Sequence, residues 1–163
     1  MHLGFSYIGL IFLIMLMIPK RKLKKYAMQQ PTARLSLKLN IFRFNENKIL
    51  LLFERAGEVL VTCLLLIFSD FNIQGITAWM IWLIAAFVLM IMYELYWIRY
   101  FKSEKTMKDF YSSIMGIPVA GATLPVIACC LIAIYGRNPM LFVSTIILGV
   151  GHIGIHLNHR KEL

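Results

Sequence analysis

Basic residues in this chain cluster at the ends of long apolar stretches, and that segregation constrains its fold more than any motif does. Of 17 Lys and Arg residues, nine fall between Lys20 and Lys48, four between Arg99 and Lys108, and two at Arg160 and Lys161. The stretches between these blocks have about the length of membrane spans. Loops rich in Lys and Arg stay on the cytoplasmic side, so the pattern predicts an all-α, polytopic membrane helix bundle and its orientation. Composition agrees, with 60% hydrophobic residues against about 45–50% in soluble domains. The net charge of +9 does not argue for nucleic acid, because it gathers in loops on one side. It suits anionic lipid headgroups at the basic loop.

Five spans are predicted within one membrane domain covering residues 1–163, at about 3–18, 49–68, 76–98, 114–135 and 140–157, with a basic cytoplasmic loop at 20–48. The N-terminus is expected outside and the C-terminus in the cytoplasm. Positive charge follows the first apolar segment instead of preceding it, which is the reverse of a secretory signal. The first span is expected to close at Pro19. A four-span arrangement, with that segment lying in the interface, is disfavoured because the segment has no polar face. Trp79 and Trp82 at one end of the third span, and Tyr93, Tyr96 and Trp97 at the other, suit two membrane interfaces. Within the basic loop, residues 35–41 alternate apolar and polar side chains and are expected to be interfacial or extended. Met107, Phe110, Tyr111 and Ile114 recur at helical spacing and predict a short surface helix. Pro118 and Pro125 are expected to kink the fourth span. Cys63, Cys129 and Cys130 lie in apolar segments without CxxC spacing and are expected to pack as small hydrophobes. A bacterial cytoplasmic membrane is the expected location.

Ionisable groups are costly inside a bilayer, about 2.5–3.5 kcal/mol for Asp, Lys or Arg at the centre. This chain nevertheless keeps Glu54, Arg55, Glu58, Glu94, His152 and His156 within predicted spans. At a rise of about 1.5 Å per residue, Glu54 lies about 9 Å from the cytoplasmic edge, Glu58 about 15 Å, Glu94 about 7 Å, His156 about 4 Å and His152 about 10 Å. Three helices therefore carry polar groups to similar depths. Glu54 and Glu58 share a helix face, as do His152, His156 and His159. Arg55 lies in reach of Glu58. These residues are the candidate ion, proton or metal site, with Arg55, Arg99 and His159 in support. The bland alternative pairs Arg55 with Glu58, pairs Arg99 with Glu94 or leaves it in the headgroups, and leaves His156 and His159 at the interface.

Several local patterns carry less. Gly149-Val150-Gly151-His152-Ile153-Gly154 matches GxGxxG but follows no strand, so its glycines are expected to serve close packing or leave room beside His152. The spacing His152-x3-His156-x2-His159 is similar to one histidine box of membrane di-iron desaturases and hydroxylases. Those enzymes carry several boxes, and the only other histidine here is His2, so no family is assigned. Three functions are carried forward. Translocation of an ion, proton or small solute ranks first, with Glu58 and Glu94 expected to be essential and a homo-oligomer or partner subunit expected to complete so small a bundle. A membrane metalloenzyme acting on a lipid-like substrate comes second, with Zn, Fe or Mn held by the Glu and His residues. A non-catalytic membrane subunit is third.

Overall fold

The computed structural model describes residues 1–29, 47–114 and 116–161. The alternating segment expected at 35–41 lies outside the described residues. The chain is all-helical: α1 (Tyr7–Gln29), α2 (Lys48–Ile67), α3 (Ile81–Lys102), α4 (Met107–Phe110), α5 (Ala120–Tyr135) and α6 (Pro139–Lys161), with short 3-10 turns at Ser69–Phe71 and Ala78–Met80. Among the described residues, extended pairing is limited to isolated bridges.

The helix boundaries follow local chemistry. α1 starts at Tyr7, later than expected, because Ser6 caps it: Gly9 N–H donates to Ser6 Oγ at 2.9 Å. Residues before the cap run extended along the end of α2, where Gly4 N–H donates to Ile67 O at 2.9 Å and Ser6 N–H to Leu66 O at 3.0 Å. Pro19 does not close α1; it lies inside the helix. Its ring is fully buried, so packing offsets the lost backbone donor, and the first basic residues are helical. Asn47 caps α2 by accepting from Ile49 N–H. Thr106 and Asp109 form a reciprocal capping box that gives α4 its single turn. Asn138 accepts from Leu141 N–H at 2.9 Å and starts α6, with Pro139 in the first turn.

The fourth apolar segment is shorter than expected. Gly116 takes a positive φ of 81°, and Ile114 and Ile117 close a tight turn on each other. Pro118 therefore ends a turn instead of kinking a helix, and α5 begins only at Ala120. Pro125 is the proline inside that helix.

α2 packs along α6, α3 along α5, and α5 along α6, while α1 lies more loosely across α2 and α3. Phe12, Leu65, Phe71, Met90, Ile132 and Leu141 fill the core. Among the described residues, two helices, Ala78–Lys102 and Pro139–Lys161, are long and apolar enough to cross a membrane. α5 is apolar but has 16 residues, and Glu54, Arg55 and Glu58 interrupt the apolar run of α2. Large apolar side chains point outward along the long helices, including Leu10 and Ile14 on α1, Leu52 and Val59 on α2, Ile84 and Ile91 on α3, and Val143 and Val150 on α6. Asn138, Ser144 and Thr145 are buried.

The aromatics at the far end of α3 do not form an exposed belt. Tyr93, Tyr96, Trp97 and Tyr100 are buried. Trp97 packs edge-on to Phe110 at a centroid distance of 5.7 Å, and Tyr96 Oη donates to Phe110 O. The α4 turn is thereby fastened over them.

Candidate functional site

The close seam between α2 and α6 is built on glycine. A Cβ at Gly57 would meet Leu148 Cα at 2.5 Å, and one at Gly151 would run into the Glu54 backbone. Close approach of this kind needs small residues. It sets the residue after Gly151 against the first carboxylate of α2. His152 Nδ1–H donates to Glu54 Oε1 at 2.6 Å, and both side chains are largely shielded, at 27% and 20% exposure. The GxGxxG glycines thus serve packing and placement.

His156 lies one turn further along α6. Its ring centroid is 4.6 Å from that of His152. It stacks on Phe110 at 6.0 Å and meets Tyr111 edge-on at 5.6 Å. His159 is buried in the last turn and shares a hydrogen bond of 2.9 Å with Tyr111 Oη. His156 and His159 are therefore packed under α4 instead of resting at an interface.

Glu58 faces the same side of α2 but has other partners. Lys20 Nζ donates to it at 2.9 Å, and Arg55 lies 3.4 Å away. A cavity of about 260 Å³ opens beside both carboxylates. Its polar rim includes Lys20, Glu54, Arg55, Glu58 and His152, and its apolar wall includes Met17, Pro125 and Cys129. Within that rim Lys20 and Arg55 both contact Glu58, while the contact of Glu54 is with His152.

The structure does not bring Glu94 to this group. Glu94 Oε1 is buried without a hydrogen-bond partner among the described residues, and the cation acting on it is Lys22. Arg99 does not pair with it. The guanidinium instead bonds Ser112 and Ser113 and sits 5.6 Å from the centre of the Tyr96 ring. Among the described residues, no three His, Cys, Asp or Glu side chains converge to hold a metal ion.

No family model, curated protein or solved structure matches this chain. Its functional reading therefore rests on its own geometry.

Sequence reasoning missed Lys20 and Tyr111. Lys20 reads as the first residue of a loop, because Pro19 reads as a helix end. Tyr111 is visible as part of an amphipathic pattern, but nothing in that pattern points to His159, 48 positions away.

Two groups outside the apolar helices have shifted acidity. Burial alone would raise the Asp70 carboxyl, but hydrogen bonds from the His2 backbone N–H and ring, with nearby positive charge, outweigh it and hold the group below its ordinary range. The Thr106 backbone and side-chain hydrogen bonds likewise hold Asp109 low.

Proposed function

We propose that this protein is a multi-pass membrane protein that moves protons across a bacterial cytoplasmic membrane through the Glu54–His152 pair, with five helices crossing and the basic ends cytoplasmic. The observation that carries this reading is the 2.6 Å contact between a carboxylate and an imidazole from different helices, beside a cavity they help line. Imidazole is the side chain whose ordinary charge change falls between pH 5 and 8. Joined to a carboxylate, it can take up a proton without creating an unpaired buried charge.

The donor set favours a proton over a metal cation. Glu58 is already engaged by Lys20 and Arg55, and Glu54 with His152 offers two donors where a zinc-type site takes at least three from the protein. A proton needs only the imidazole, with Glu54 beside it as counter-charge. The outward-facing apolar side chains on the long helices support burial in lipid, since extended apolar surfaces mark membrane or partner contacts. Basic residues from Lys20 to Lys25 suit contact with anionic headgroups on the cytoplasmic side.

The test uses purified protein in vesicles of phosphatidylethanolamine and phosphatidylglycerol, with a pH-sensitive dye inside and an imposed potassium diffusion potential. Acidification of the lumen is expected for the native protein and not for Glu54→Gln. Equal rates for native protein, Glu54→Gln and empty vesicles would remove the reading.

A further inference from the structure

We infer that Tyr111 and His159 form the cytoplasmic exit of a proton path that begins at Glu54 and runs through His152 and His156. This rests on the proton-translocating reading above and extends it to residues outside the cavity.

Four consecutive contacts carry the inference. Glu54 and His152 are hydrogen-bonded at 2.6 Å. The rings of His152 and His156 have centroids 4.6 Å apart, a separation that one bridging water can span. His156 and Tyr111 rings meet at 5.6 Å. Tyr111 Oη and His159 Nδ1 are 2.9 Å apart. The run follows one face of α6 from the cavity to the last turn, where Arg160 and Lys161 are exposed. Titratable or charged groups facing it among the described residues include Glu54, Arg55 and Glu58 from α2, Tyr111 from the end of α4, and the three histidines of α6.

Passage needs no co-reactant. An imidazole accepts a proton on one ring nitrogen and releases one from the other. A phenol accepts a hydrogen bond on its oxygen while donating its own hydrogen onward. After one proton has entered at Glu54 and one has left at His159, every group has its starting charge. Phe110 stacks on His156 on one side of this run, and the α2 seam lies on the other.

The arrangement also accounts for two otherwise unexplained features. His159 is buried although it stands among exposed basic residues. The single turn of α4 is held by a full capping box, which fixes the position of Tyr111 immediately after it.

Tyr111→Phe removes the hydroxyl and keeps the ring packing, so it is the primary variant; His159→Gln is the second. In the vesicle assay each is expected to slow proton entry by about a hundredfold, the lower end of the range for losing a positioned proton-transfer group. Native rates in both variants, with Glu54→Gln inactive, would overturn the exit path and leave the function standing. A second measurement does not depend on transport. In detergent micelles, nitrogen NMR of labelled histidines follows each imidazole through its titration. Glu54→Gln is expected to move the midpoints of His156 and His159, and in a Tyr111→Phe background to move only His156. A His159 response that is absent from the start, or unchanged by Tyr111→Phe, would overturn the path even if no proton flux were found.

Discussion

Glu54 Oε1 and His152 Nδ1 lie 2.6 Å apart although 98 positions separate them. Their meeting depends on Gly151, whose missing side chain lets α6 touch the Glu54 backbone. Gly151→Ala is expected to push the helices apart and lower stability by about 1–3 kcal/mol, the usual cost of overpacking a close contact. Denaturation in mild detergent reads the loss. Unchanged stability would show that the seam has slack.

Glu54 and Glu94 are expected to respond oppositely to the same substitution. Glu54→Gln weakens a shielded charge-assisted hydrogen bond and should cost about 1–3 kcal/mol as well as proton flux. Glu94 has a buried oxygen without a partner among the described residues, so Glu94→Gln should leave melting temperature equal or higher and flux intact. Loss of flux in Glu94→Gln would restore that residue to the site.

Lys20 and Glu58 form an exposed pair, 59% and 42% accessible at the side chain. Lys20→Met should therefore cost no more than about 1 kcal/mol, and less as salt is added. A large, salt-independent loss would show that the pair is sheltered from solvent.

Asp70 ties the extended N-terminal segment to the turn after α2 through His2. Its carboxyl is held below its ordinary range. The linkage sign follows: the contribution is complete above the unfolded carboxyl range, near pH 4, and disappears as pH falls through the lower folded value. Asp70→Asn should thus lower melting temperature at pH 6 and make little difference near pH 2. A gap that persists at the acid end would point to a cause other than charge.

Cys63 is exposed on α2 whereas Cys129 is buried. If α2 crosses the bilayer, a membrane-impermeant maleimide should leave both unmodified in intact vesicles, and detergent should not unmask Cys129 until the protein unfolds. Rapid labelling of Cys63 in sealed vesicles would place that face in water and sink the five-span reading.

Much of the fold is legible in the chain. The all-helical class, the α2 limits near Lys48 and Ile67, and the short helix before Ser112 follow from apolar runs and their periodicity. Two misreadings share one cause. Pro19 is read as an end but sits inside α1, and Pro118 is read as a kink but ends a turn. A proline's local preference is plain from sequence, yet tertiary burial in one case, and the Gly116 turn in the other, decides the outcome. Tyr93, Tyr96 and Trp97 are likewise identifiable as an aromatic group, but the cover of Tyr96 and Trp97 by Phe110 is a tertiary event.

The candidate site divides along the same line. Sequence alone places Glu54, Glu58, Glu94, His152 and His156 along their helix axes, because the rise per residue is constant. It also puts His152, His156 and His159 on one face, because the helical period is fixed. It does not determine which way each face turns once helices pack, since that depends on where small residues allow close approach. Gly57 and Gly151 turn Glu54 toward His152; no such contact brings Glu94, at similar depth, to the pair. Axial position is a property of the chain, whereas azimuth is a property of the bundle.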